Sequence, residues 1–205
     1  MFEDISNCDT SNVTDMSDMF KNAASFNQHI NTSGDGSKWD TSNVTDMSRM
    51  FYRARAFNKD ISRWDTSEVK TMKAMFYDCD VFNQDINTDS NRWNTSKVEI
   101  MAHMFWGCHE FDGNITGWDI NNVTDMYAMF YRATVFNQDI GVWNVSGYVD
   151  FASMFMWTNK FNQNLTSWTA PAWVPSYQSN FAAMLHPGYT NFDIANRPPN
   201  YDVAN

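Results

Sequence analysis

In 205 residues the chain carries 24 acidic against 14 basic side chains, a formal charge of −10, with 43% hydrophobic residues and 16 Phe, 9 Trp and 8 Tyr. That content excludes simple disorder and supplies a core, while the net charge repels phosphate backbones and sets nucleic-acid binding aside. Three cysteines, far apart at 8, 79 and 108, cannot close a disulfide framework, and no apolar run approaches the ~18 residues that span a bilayer.

The start, Met1-Phe2-Glu3-Asp4, is acidic and lacks an apolar h-region, so it does not read as a signal peptide. From there the chain repeats. Phe-Asn-Gln or a close variant recurs at Phe26, Phe57, Phe82, Phe111, Phe136 and Phe161, with Phe2 and Phe192 as degenerate ends. The first unit has Cys8 in the place of a Trp, followed in register by Val13, Met16, Met19 and Phe20. An insertion at 31–38 separates Ile30 from Trp39, and a second at 87–92 separates Ile86 from Trp93. The units that open at Trp39, Trp64, Trp93 and Trp118 keep one spacing: Val five residues after the Trp, Met at eight and eleven, Phe at twelve and eighteen. The unit at Trp143 keeps the positions while Tyr148 replaces Val and Phe151 replaces the first Met. After Trp168, Pro171, Pro175 and Pro187 displace the consensus. The array is therefore expected over 1–168, with an irregular last repeat and C-terminal cap over 169–205.

Within a unit, Val44, Met47, Met50, Phe51 and Ala54 follow the spacing of one helical face, predicting two turns of helix or a tighter 3-10 turn, with Thr45 and Asp46 as N-cap candidates. Residues 57–61, bounded by polar turns, read as a five-residue strand. No such unit buries its own apolar edge, whereas stacking in register pairs like strands and turns Phe, Ile, Trp, Met and Ala into buried columns. The expected fold is an α/β repeat solenoid of about seven coils, each a short parallel strand plus a short helical or 3-10 turn. A propeller blade needs four strands and hence a longer period.

Strings such as Trp39-Asp40-Thr41-Ser42-Asn43-Val44-Thr45-Asp46-Met47 and Phe136-Asn137-Gln138-Asp139-Ile140 resemble the BspA-like surface-protein repeats, including the mycoplasma-type surface lipoprotein repeats of similar period. The resemblance covers about residues 2–168. It implies a leucine-rich-repeat-like scaffold with Phe and Met in the place of Leu, cell-surface display or secretion, and binding or adhesion rather than a reaction. Because the chain opens inside a repeat, it reads as an excised module or a trimmed chain.

Three columns carry carboxylates: Asp4, Asp60, Asp85 and Asp139 before Ile; Asp40, Asp65 and Asp119 after Trp; Asp15, Asp46 and Asp125 after the Val-Thr pair. They admit a Ca²⁺ ladder or an acid/base pair. They also admit turn capping, which Asn at 94, 114 and 144 favours because a cap tolerates Asn and a catalytic acid does not. Asn27, Asn58, Asn83, Asn137 and Asn162 form either a hydrogen-bonded ladder or a ligand-reading surface. The Trp column reads as core, with carbohydrate stacking as the alternative. His29, His103, His109 and His186 share no column and have no zinc spacing. Asn-x-Ser/Thr triplets, as at Asn12 and Asn164, are by-products of the repeat consensus.

No catalytic constellation, cofactor motif or metal-ligand set emerges, so the expectation is a non-enzymatic binding or adhesion module, with a structural or docking subunit as the alternative. Its expected partner is another protein or a surface glycan, without nucleic acid or membrane insertion, and its open ends offer end-to-end contact. The candidate ligand residues lie in the two insertions, at the corner that escapes the repeat constraint: Asn31, Asp35, Lys38, Asn87, Asp89, Asn91 and Arg92.

Overall fold

A computed structural model describes residues 5, 8–31, 39–88, 93–145, 147, 149–168 and 194–197. Across them the repeat of the sequence becomes a repeat in space. Parallel bridges join Asp15 to Asp46, Asp46 to Thr71, Thr71 to Ile100, Ile100 to Asp125 and Asp125 to Asp150, all of them seven residues after the Trp or its substitute. Each unit therefore lies directly on the next.

The inward columns follow from that register. Phe26, Phe57, Phe82, Phe111, Phe136 and Phe161 are buried and stack at 5.8–6.0 Å between successive ring centroids. A second column, Phe20, Phe51, Phe76, Phe105, Phe130 and Phe155, repeats at 5.4–5.8 Å. Within a unit the two rings lie about 4.0 Å apart, as for Phe51 and Phe57, so the columns form one aromatic wall. Trp39, Trp64, Trp93, Trp118, Trp143 and Trp168 are buried too. A buried indole needs a partner for its N–H. Each of these donates Nε1 to the carbonyl of the Ile one unit earlier, from Trp39 to Ile5 through Trp168 to Ile140.

The turn section departs from the helix that its apolar spacing predicts. Met47, Arg49, Phe51 and Arg53 donate their N–H groups to the carbonyls of Thr71, Lys73, Met75 and Tyr77 in the next unit. Between them, Met50, Tyr52 and Ala54 close turns onto the carbonyls of Met47, Arg49 and Phe51. Alternate N–H groups thus point to a neighbour, and a helix, which turns every N–H inward on its own chain, is impossible here. Arg49 and Arg53 have φ of 56° and 59° and stand third in the four-residue turns 47–50 and 51–54, as type II turns require. The same two places hold Asp18 and Asn22, Ala74 and Asp78, His103 and Gly107, Ala128 and Arg132, and Ser153 and Trp157. Left-handed backbone at a non-glycine residue costs about 1–2 kcal/mol, and the bonds between units hold it in place. Among the described residues the helical segments are the 3-10 turns Ile140–Val142 and Ile194–Asn196.

The strand expected over 57–61 differs as well, for here side chains take over the ladder. Asn58 N–H donates to Asn27 Oδ1, Asn83 N–H to Asn58 Oδ1, Asp112 N–H to Asn83 Oδ1, Asn137 N–H to Asp112 Oδ1 and Asn162 N–H to Asn137 Oδ1, at 2.9–3.0 Å. The following Gln ties the same rungs: Gln84 Nε2 reaches the carbonyl and Oδ1 of Asn58, and Gln138 Nε2 those of Asp112. The Phe-Asn-Gln motif is therefore a rung of polar scaffolding, and the Asn column is the ladder that the sequence offered. A buried hydroxyl ladder runs beside the Trp column, in which Thr10, Thr41, Thr66 and Thr95 each donate Oγ1 to the carbonyl of the residue after the next unit's Trp. The array closes on 194–197, where Leu165 N–H donates to Asn196 O and Asn196 Nδ2 reaches back to Asn162. The rest of the expected C-terminal segment lies outside the described residues.

Candidate functional site

The recurring carboxylates spend their oxygens on the backbone. Asp9, Asp15, Asp40, Asp46, Asp60, Asp65, Asp119, Asp125, Asp139 and Asp150 each accept the N–H two residues on. Asn94, Asn114 and Asn164 do the same. These are Asx turns, so capping is the role that the geometry displays. A polar groove of about 550 Å³ lies over the Asn ladder, lined in part by Asp60, Asp85 and Asp112. Asp60 holds Ser62 N–H and Asn31 Nδ2, Asp85 holds Asn114 N–H, and Asp112 holds Asn137 N–H. Among the described residues no group of three His, Cys, Asp or Glu is placed to hold a metal ion.

Of the insertion residues, Asn31 and Asn87 are described, while Asp35, Lys38, Asp89, Asn91 and Arg92 lie outside the described residues. Asn31 Oδ1 accepts Arg63 N–H at 3.2 Å, and the buried Asn87 accepts Gly117 N–H at 2.7 Å. The two side chains make the same bond to the same place in the next unit. Each pins the point at which an insertion leaves the scaffold.

The structure gathers a different set of side chains on the outside of the turn section. Thirteen residues after the Trp stand Tyr52, Tyr77, Trp106 and Tyr131, half-buried, with Lys21 before them and Met156 after them in the same column. Their rings stack at 4.6, 5.4 and 3.8 Å with interplanar angles of 13–14°. His103 packs beside them, 5.3 Å from Trp106 and edge-on to Tyr127 at 5.1 Å. Burial and the nearby Lys73 ammonium push the His103 pKa below its ordinary value, so the ring is neutral at pH 7. Burial pushes Tyr77 up, aided by Asp78, and its hydroxyl stays protonated. Arg53 lies over Tyr52 at 5.2 Å and Arg132 over Tyr131 at 5.7 Å, within cation–π range. Arg49 grips Asp18 through Nε and Nη2 at 2.7 and 2.6 Å, with Lys21 3.2 Å from the same carboxylate. Sequence reasoning passes over this stripe because the column begins and ends on Lys21 and Met156; the signal was the fixed offset of four aromatics.

Units of one spacing, bonded each to the next through like positions, define a repeat protein. The chain belongs to the family described as Mycoplasma protein of unknown function, DUF285, whose model matches residues 1–91 and 85–186. No curated protein and no solved structure matches it.

Proposed function

We propose that the chain is a non-enzymatic binding module on a leucine-rich-repeat-like solenoid of about seven coils, displayed at the cell surface or secreted as a BspA-like repeat is. One observation carries this reading. Inward positions stay nearly constant from unit to unit, with Met at 47, 72, 101 and 126 and Phe at 51, 76, 105 and 130. The left-handed places of the same turns change freely: that of Arg49 holds the buried Ala74 and Ala128 and the more open His103 and Ser153, and that of Arg53 holds Asp78, the buried Gly107, and the exposed Arg132 and Trp157. A scaffold with a fixed interior and a varied, pre-ordered exterior suits recognition. The corner insertions, with Asn31, Asp35, Lys38, Asn87, Asp89, Asn91 and Arg92, add a second set of contacts.

The test is a protein and glycan array probed with the chain, repeated with a variant carrying serine at the exposed positions 73, 132 and 157, which stand outside the ion pairs of Arg49 and Arg53. The reading expects a ligand that the variant loses while keeping its melting temperature. Equal capture by both would remove recognition from this face.

A further inference from the structure

We infer that the outward stripe built on Tyr52, Tyr77, Trp106 and Tyr131 receives an acidic segment of a partner protein. The inference rests on the binding role proposed above and names the partner of that face. Its first support is charge. The whole chain carries −10, yet the positions around these rings hold five cations (Lys21, Arg49, Arg53, Lys73 and Arg132) against four carboxylates (Asp18 and Asp78, with Asp46 near Arg49 and Asp125 near His103). Asp18 is matched by Arg49 and Lys21, and Asp78 by Arg53. Among the described residues no carboxylate pairs with Lys73 or Arg132. A small local excess of cations on a molecule of −10, with Lys73 and Arg132 outside the ion pairs, favours an anionic partner here over the rest of the surface and orients it on approach.

The rings give the second support. Because Tyr77 and Trp106 each lie between two neighbours, their faces are covered by other rings. Sugars stack on aromatic faces, so this arrangement leaves a glycan little to bind. What faces outward is ring edge, which carries the positive part of the aromatic quadrupole, together with tyrosine hydroxyls able to donate. Edges, hydroxyls and guanidinium groups all match carboxylates. Tyr, Trp and Arg are also the side chains that dominate protein–protein binding energy. Stacking has already fixed their rotamers, which lowers the entropy lost on binding. Tyr127 and Trp157, 39% and 43% exposed, extend the aromatic area beside the ladder.

The experiment titrates the chain with a fluorescein-labelled oligo-glutamate peptide, with oligo-lysine as the sign control and heparin as an anion that is not a protein. Arg53→Glu/Arg132→Glu alters two exposed cations of the stripe. Lys70→Glu/Lys97→Glu makes the same change of net charge on a separate groove that Glu99, Asn122 and Thr124 also line. The expected result is binding of oligo-glutamate that falls at least about tenfold in the stripe variant and stays within about twofold in the control variant. Trp106→Ala weakens it as well, and unchanged circular dichroism confirms that the variants fold. Equal losses in both charge variants, or binding of heparin without oligo-glutamate, would overturn the inference. If oligo-glutamate fails while an array ligand is still lost from the outward-serine variant, this inference falls and the binding reading stands. If the array yields no ligand either, both fall.

Discussion

Asp18 shows how much a repeat protein asks of single side chains at its surface. The Arg49 guanidinium, with Lys21 beside it, holds its carboxyl at a pKa of about 2, well below the ordinary 3.8. A depressed carboxyl stabilises the fold above its unfolded pKa and loses that contribution as pH falls toward the folded value. Wild type should therefore exceed Asp18→Asn in urea midpoint at pH 7, and the gap should close between pH 4 and pH 2. Both partners are more than a third exposed, so solvent screening limits the difference to at most about 1 kcal/mol. The cysteines give a sharper contrast. Cys79 and Cys108 are buried, donate Sγ to the carbonyls of Phe51 and Phe76, and have pKa values pushed well up by burial. Cys8 is exposed. Since the thiolate is the reactive form, one equivalent should react quickly with a disulfide reagent in native protein and two only on unfolding. Fast reaction of all three would show that the stack opens readily. At this scale the sequence was legible where one residue type recurs in one column. Asn standing in for Asp at 94 and 114 marked the Asx turns, and the regular Asn marked the ladder, because side-chain chemistry there is local.

At the scale of the element the apolar spacing misled, and the reason is geometric. Val44, Met47, Met50, Phe51 and Ala54 fit a helical face, but two consecutive four-residue turns whose first and last residues point inward bury Met47, Met50, Phe51 and Ala54, and Val44 is buried at the end of a separate turn, 41–44. What separates the two is backbone sign. Asp18 and Asn22 at the left-handed places are residues that tolerate positive φ, whereas Arg49, Ala74 and Ser153 carry no such signal. For Arg49 and Ala74 the conformation is imposed by bonds to the carbonyls of Lys73 and Ala102 in the next unit, which one unit's sequence does not contain. The cost of the left-handed backbone itself is testable at Ser153, φ 59°. Asparagine there should leave stability within about 0.5 kcal/mol, while valine, whose branched side chain clashes in left-handed backbone, should cost about 1–2 kcal/mol. Equal tolerance of both in chemical denaturation would argue that the turn is not type II. The stacked aromatic stripe belongs to this scale too, since its signal lies across units rather than within one.

For the whole molecule, each unit touches mainly its neighbours, so a break in the middle is felt in both directions. Phe111 is buried against Phe105 at 3.9 Å and between Phe82 and Phe136 at 5.9 Å on either side. Phe111→Ala should cost about 3–5 kcal/mol by leaving a cavity in the aromatic wall. A loss below about 1 kcal/mol in urea denaturation would mean that the columns are not the core. The corner insertions should behave in the opposite way. The longer connections 31–38 and 87–92 are flanked by Trp39 and Trp93, whose indoles reach the Ile5 and Ile61 carbonyls just as Trp64 and Trp118 reach those of Ile30 and Ile86. Asn31 and Asn87 secure the departing chain to the next unit. The stack is thus already closed on both sides of each insertion, and added loop length costs little, since doubling a loop adds only about 0.6 kcal/mol. Shortening both insertions to the connection found at Ile61–Trp64, with Asn31 and Asn87 retained, should leave the melting temperature within a few degrees. If the corner joins in recognition, the shortened chain should bind its array ligand more weakly while the response to oligo-glutamate stays as it was, because the stripe lies on the turn section. Unchanged binding of both would assign recognition to the outward columns alone and leave the insertions as length that the corner tolerates.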